Sequence, residues 1–458
     1  MTTNYARKPD RAYRGADLWL PKSQINVKAV QGSLTFQPAK GGKLLAYQDT
    51  QHHLVVPRHF VPVEDLEDLP YPLEHVPPPK FPRLPEGLRA RSVLRQPEDG
   101  RTNQVAMWKA LTEGGDGVLV LKCGGGKTVV AAHSAISLGY PTLFVGHNGS
   151  ILDQWKERLQ QHTTISADGI GMIGDGKMDW EKPFCVASIQ TLWQKIEEGE
   201  LPPEMANHFG TMVFDEVHHM AAEKFNLAAN LCHGVRWGLT ATPRRDDGMD
   251  ALYQMNIGPV LYRDLDQDLT PDAFFIRTGK QLTGPEIEAC RDARGQFSIG
   301  KFHATLLSDP QRDDILAEYV NRALDDGREV LVLTPTRDHL DVLARRWSGP
   351  DVGVVHGDTK QSDRTDIVRK CKLLLSIEEL GIEALDKPSL SVVILACPMK
   401  SRNNLQQILG RIQRAVPGKP QPILLVLTDD AIRKSAEWSR RMQSTLATWG
   451  VPFSLIDP

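Results

Sequence analysis

Apolar positions along the chain fall into two rhythms. Up to about residue 60, short apolar runs alternate with turns. Leu18–Leu20, Leu44–Tyr47 and Leu54–Pro57 predict strands, with a short helix over Ile25–Leu34 between them. From about residue 90, runs apolar at nearly every position are separated by helical stretches: Val118–Leu121, Thr142–Val145, Phe184–Ala187, Met212–Phe214 and Trp237–Leu239. A second series follows at Val330–Leu333, Gly353–Val355, Lys372–Leu375, Val392–Leu395 and Ile423–Leu427. Strands without polar alternation are buried on both faces, as in parallel sheets covered by helices. The pattern predicts an α/β chain: two doubly wound parallel-sheet domains of about five strands each, in tandem behind a small α+β unit.

Punctuation between the rhythms sets the boundaries. Residues 61–87 carry eight prolines behind the acidic Glu64, Asp65, Glu67 and Asp68, which is the composition of a semi-rigid linker. The acidic, turn-rich stretch Asp264–Asp272 marks a second junction. The expected division is 1–60, a small basic α+β domain; 61–89, a linker; 90–268, a first α/β domain; and 269–458, a second.

A length of 458 residues suits about three such units. No apolar run approaches the ~20 residues of a membrane span, and the first thirty residues lack the apolar centre of a secretory signal. The six cysteines form no CxxC pair, which argues against a zinc or iron–sulfur site and for a reducing, cytoplasmic setting. Net charge is −3, yet residues 1–60 hold nine Lys/Arg against three Asp/Glu. That local excess suits contact with a polyanion or a plain solvated surface, and Lys22, Lys28, Lys40 and Lys43 are its candidate grips.

The chemistry concentrates at two places. Leu121-Lys122-Cys123-Gly124-Gly125-Gly126-Lys127-Thr128 lies between a predicted strand and a helix. Glycines let backbone N–H groups close on phosphate oxygens, Lys127 can reach the terminal phosphates and Thr128 can ligate Mg²⁺. Cys123, Gly124, Gly125 and Gly126 form the cradle; the bland alternative is a glycine turn before a helix. Further on, the strand Met212–Phe214 runs into Asp215-Glu216-Val217-His218-His219. Asp215 supplies a second Mg²⁺ contact and Glu216 can deprotonate an attacking water, although an Asp-Glu pair also makes a helix cap.

These motifs, followed by Gly238-Leu239-Thr240-Ala241-Thr242-Pro243 and by Gln407-Ile408-Leu409-Gly410-Arg411-Ile412-Gln413-Arg414, resemble superfamily 2 DExH-box helicases. The likeness covers residues from about 90 to 458. Leu121-Lys122-Cys123, Gln154-Trp155 and Thr240–Gly248 are similar to the xeroderma-pigmentosum-B-type and bacteriophage branch-migration DNA helicases; Val56-Pro57-Arg58 and the basic N-terminal unit add to the phage likeness. The resemblance implies two RecA-like domains, ATP and Mg²⁺ as cofactors, and DNA unwinding or branch migration in replication, recombination or repair. It also implies a monomer acting on single-stranded, duplex or branched DNA in a bacterial cell or phage-infected host.

The resemblance assigns roles by position. Gln104 matches the adenine-reading glutamine, although Asn103 stands where the family has tyrosine. His218 links the hydrolytic site to Thr240 and Thr242, and Arg411 and Arg414 match arginine fingers with Gln407 beside them. Asp386 matches a coupling residue, but Ala384 replaces the usual glycine, at a cost of about 1 kcal/mol if positive φ is required. Candidates for nucleic acid are His147, Asn148, Ser188, Gln190, Thr191, His356 and Lys360, polar groups at predicted strand ends. Trp155 either stacks on a base or, with Leu152 and Leu159, belongs to the core. Other readings are an RNA helicase, a nucleotide-switched clamp with weak ATPase, or more distantly a P-loop kinase or transporter ATPase.

Overall fold

The computed structural model describes residues 7–37, 42–96, 102–122, 124–241 except 220–226, 250–266, 268–359, 361–378, 381 and 387–458. The chain divides into two compact units, Met1–Leu265 and Asp266–Pro458.

The first unit opens with seven short strands: β1 Ala12–Arg14, β2 Asp17–Pro21, β3 Thr35–Phe36, β4 Leu44–Leu45, β5 Gln48–Asp49, β6 His53–Pro57 and β7 Leu73–His75. Five form a sheet in the order β5-β6-β2-β1-β7, and β3 pairs with β4. The helix falls at Val27–Ser33, capped by Asn26. The linker expectation needs correction at β7, which lies among the prolines yet pairs in parallel with β1, Ala12 opposite Leu73. Proline cannot donate to a ladder, so a Pro-flanked strand is tolerated here only as a short edge.

The α/β part of this unit holds β8 Gly117–Leu121, β9 Thr142–Gly146, β10 Ile170–Gly174, β11 Lys177–Met178, β12 Phe184–Ser188, β13 Thr211–Asp215, β14 Val235–Thr240 and β15 Val260–Asp264. Among the described residues they form one sheet, β11-β10-β12-β9-β13-β14-β8-β15, parallel except for the β10–β11 hairpin. Apolar clusters cover both faces, one around Phe214 and Val145, the other around Phe144 and Trp237.

Two buried arginines fasten the small sheet to the large one. Arg58 donates to Gly15 O (2.7 Å) on one side and to Gly234 O, Cys232 O and Asp116 on the other. Arg236, on β14, reaches back to Ala16 O at 2.6 Å. Leu252, on the helix Asp250–Ile257, completes the apolar core of the small sheet.

The second unit contains β16 Asp272–Arg277, β17 Val330–Thr334, β18 Val352–Val355, β19 Leu373–Ile377, β20 Val392–Leu395, β21 Ile423–Thr428 and β22 Phe453–Ile456. They form an all-parallel sheet, β18-β19-β17-β20-β21-β16-β22, again with an apolar cluster on each face. β16 occupies part of the stretch expected to be a junction, so the turn-rich segment ends before Asp272. Among the described residues no helix is long and apolar enough to cross a membrane.

Candidate functional site

Strand order in the first unit brings the two chemical motifs together. β13, which ends in Asp215, and β8, which leads into the glycine loop, both pair with β14. Their C-terminal ends therefore open on one edge of the sheet, as expected for a ligand site in an open α/β fold.

The loop after β8 is built for close approach. Gly124 and Gly126 both adopt positive φ, 78° and 89°, and Gly126 caps the helix Lys127–Leu138. A Cβ on Gly126 would fall 2.0 Å from Gln104 Nε2. Gln104 is buried, and its Oε1 accepts from Arg95 N (3.0 Å), leaving its amide nitrogen against the loop. Gln104 thus packs against the glycine loop. Cys123 lies outside the described residues.

Opposite the loop, Lys127 Nζ donates to Glu216 Oε1 at 2.5 Å. Glu216 has φ 47°, a left-handed conformation that costs a residue with Cβ about 1 kcal/mol or more. Such strain marks functional sites when neighbours hold it, and here Lys127, the backbone N–H of Ala241 (3.4 Å) and His218 (3.5 Å) surround the carboxylate. His218, fully buried, also bonds Thr240 Oγ1 at 2.8 Å, so it touches both Glu216 and the end of β14.

Asp215, at the end of β13, is half-buried. Its Oδ1 accepts from the N–H of Glu216 (3.0 Å) and its Oδ2 from the indole N–H of Trp155 (2.9 Å). Burial, then the charge of Glu216, raises its pKa above the usual carboxylate value, with Lys127 opposing. A carboxylate whose charge its surroundings disfavour would gain from a cation, and Thr128, which follows Lys127 at the start of the helix, is the second candidate ligand. The cradle, the lysine and the carboxylates fit a Mg²⁺–nucleoside triphosphate.

Of the two readings the sequence leaves for Trp155, the structure selects the core; what sequence reasoning missed is its contact with Asp215. Trp155 is 1% exposed and stacked on Phe144 at 4.5 Å, so it does not stack on a base. It is core, and its one polar atom positions Asp215. The available signal was the rule that a buried indole N–H needs an acceptor.

The nucleic-acid candidates sit at the ends of β9 and β12, two adjacent strands on the far side of β13 from the glycine loop. Asn148 caps the helix Gly149–His162, accepting from Ile151 N, and its amide lies 3.1 Å from His147 Nε2. Ser188 caps Ile189–Glu197 and also bonds Thr191 Oγ1 (2.8 Å). Gln190 is exposed in the first turn.

In the second unit, Gln407 and Arg411 stand one turn apart on the helix Arg402–Ile412, with Arg414 just beyond its end. His356 follows β18, its backbone N–H bonded to Thr359. Thr242, Lys360, Ala384 and Asp386 lie outside the described residues. Lys387, next to Asp386, is buried, donating to Val368 O (2.8 Å) and paired with Glu329.

Residues 94–245 match the family model described as type III restriction enzyme, res subunit, and 311–416 match the helicase conserved C-terminal domain. The chain belongs to the superfamily 2 helicases. A protein of Acanthamoeba polyphaga mimivirus named for ATP-dependent RNA helicase activity is 26% identical over 342 residues, 72% of this chain and 64% of its own. The DNA 3'-5' translocase XPB2 of Sulfurisphaera tokodaii is 35% identical over 170 residues, 37% of this chain and 36% of its own. The helicase therefore spans less than two thirds of either relative. Among solved structures, S. cerevisiae Dbp5 bound to RNA and ADP BeF3 superimposes with TM-score 0.53 at 12% identity, covering 75% of this chain and 85% of that one. At that identity the likeness concerns the fold.

Proposed function

We propose that this helicase is an ATP-driven motor that moves on and unwinds duplex or branched DNA. The observation that carries the reading is the linked cluster Lys127–Glu216–His218–Thr240 beside Asp215, which Trp155 holds in place. Lys127 and the glycine-loop backbone would hold the phosphates, and Thr128 and Asp215 the Mg²⁺. Bound Mg²⁺–ATP supplies the phosphoanhydride whose hydrolysis drives the motor.

Glu216 takes the proton of the attacking water, and His218 holds that carboxylate in place. Because His218 also bonds Thr240, a change at Glu216 is felt at the end of β14, the route by which Thr240 and Thr242 would report hydrolysis. Arg411 and Arg414, with Gln407, act as the second domain's sensors of the γ-phosphate, an interaction worth about 10³–10⁵ in rate. Asp386 couples this response to nucleic acid, which His147, Asn148, Ser188, Gln190, Thr191, His356 and Lys360 hold by its backbone, independent of sequence. Asn148 and Ser188 cap helices, with Thr191 in the first turn behind Ser188, and capping presents their helix N-termini to phosphate.

The likeness to a DNA translocase over 170 residues supports DNA; the mimivirus relative's name favours RNA and makes it the second reading. The test replaces the base. Glu216→Gln is expected to retain ATP binding in a fluorescent-nucleotide titration while losing ATP turnover and strand displacement by at least 100-fold. Turnover within threefold of the parent would remove Glu216 from the role of base.

A further inference from the structure

Between β16 and the helix Pro310–Asp325 the second unit carries a small helical hairpin that the motor reading leaves without a task. Its helices are Gly284–Ala289, started by a capping box of Thr283 and Glu286, and Ile299–Leu306. An isolated bridge between Arg291 and Phe297 closes the connection. Cys290, Phe302 and Leu306 anchor the hairpin in the core, and Phe302 meets Trp438 edge-on at 5.7 Å.

The hairpin does not close over its own apolar surface. Ile287, Phe297 and Ile299 are 47%, 44% and 47% exposed. Single exposed apolar residues are ordinary on any surface. These differ because Ile287 and Phe297 converge with Leu282, Phe302 and Ile432 on a groove of about 450 Å³ between the hairpin and the helix Arg433–Thr448. The charged residues lining it are Arg291, Arg433 and Lys434, and among the described residues no carboxylate lines it. Glu288 and Glu437 pair with Arg291 and Lys434 from outside that lining, and Glu286, Asp292 and Asp430, next to lining residues in sequence, do not line it either.

An apolar floor ringed by cations has a definite complement. A phosphodiester would use the cations but leave Phe297 and Ile287 wet. An acidic amphipathic segment uses both: apolar side chains at helical spacing enter the groove, and flanking carboxylates meet the ring. Cations of one sign around a low-dielectric floor also speed the approach of such a segment. We infer that this groove docks an acidic amphipathic helix of a partner protein, with Phe297 and Ile287 taking its apolar side chains and Arg291, Arg433 and Lys434 its carboxylates.

The probe is a fluorescein-labelled 16-residue peptide with Leu and Phe at positions i, i+3 and i+4 among glutamates, titrated by anisotropy against the full chain. Two control peptides replace either every Glu by Lys or the Leu and Phe by Ser. Both controls are expected to bind at least tenfold more weakly. Arg433→Glu should weaken the acidic peptide at least fivefold, as should Phe297→Ser, with ATP turnover unchanged. Arg433 is exposed at the first position of its helix, where glutamate favours the helix dipole, so that variant keeps its fold. Equal binding of the serine peptide would make the site a generic cationic surface and overturn the inference. So would unchanged affinity in both variants, or displacement of the peptide by duplex DNA that is equally weakened by Arg433→Glu and untouched by Phe297→Ser.

Discussion

At the scale of residues, the most informative contact is the indole N–H of Trp155 on Asp215. A hydrogen bond to a charged group contributes about 1.5–3 kcal/mol, and this one fixes which way that carboxylate faces. Trp155→Phe keeps the stack on Phe144 and removes only the donor. The Mg²⁺ concentration giving half-maximal ATP turnover is then expected to rise about tenfold, with the ATP-dependence at saturating Mg²⁺ little changed. A lower melting temperature with an unaltered Mg²⁺ dependence would reduce Trp155 to a packing residue.

The glycine loop and the Asp215-Glu216 pair were legible because each is local: the required φ values and the strand end lie within a few residues of the chemistry. Trp155 was not, since its acceptor is 60 positions away and only the pairing of β9 with β13 brings them together. Gln104 lay between these cases. Its motif pointed to the nucleotide, but its approach to Gly126 depends on folding of the segment around Arg95.

At the scale of elements, the knot between the small sheet and β14 is the fold's least expected feature. Arg14, Arg58, His59, Asp116, His233, Arg236 and Asp17 meet there, and single-residue patterns say nothing of such a meeting. Burial would raise Asp116, but the hydrogen bond from His59 and the charges of Arg58, His59 and Arg236 outweigh it, and the carboxylate stays well below its usual range. Burial lowers His59; burial and then the charges of Arg58 and Arg236 take His233 down to about 4.

A histidine depressed on folding binds fewer protons folded than unfolded. Its contribution to stability is complete above about pH 6.5 and is lost as pH falls towards the folded value. Asp116 adds a loss only below the ordinary carboxylate range. Asp17 and Asp215, both raised chiefly by burial, act in the opposite sense, but His53, His133 and His162 of the same unit are lowered by burial as His59 and His233 are. The urea midpoint of the first unit is therefore expected to fall between pH 7 and pH 5, and His233→Gln should flatten that slope. A midpoint independent of pH across this window would contradict the assignment.

Most of the strands that the apolar runs announced in the two large sheets are central, β18 at an edge being the exception. Most of those missed lie towards the sheet margins, and β16, largely buried, was hidden by the acidic stretch in front of it. β10 has two glycines in five residues and is only partly buried, as is β15, and β22 is mostly exposed. β7 was hidden by its prolines. Marginal strands need fewer apolar positions, so the signal that finds a buried strand fades there.

At the scale of the whole molecule, two α/β units with complementary motifs make a motor intelligible only if nucleic acid controls hydrolysis. The proposed nucleotide-binding residues lie in the first unit and the arginine candidates in the second, so neither unit carries the proposed chemistry alone. The direct test is the ATP hydrolysis rate at fixed salt without nucleic acid and with single-stranded DNA, duplex DNA, a four-way DNA junction or single-stranded RNA. The account predicts a low basal rate, stimulation of at least tenfold by DNA with branched DNA the strongest, and little response to RNA. Stimulation by RNA alone, or one slow rate across every substrate, would contradict it.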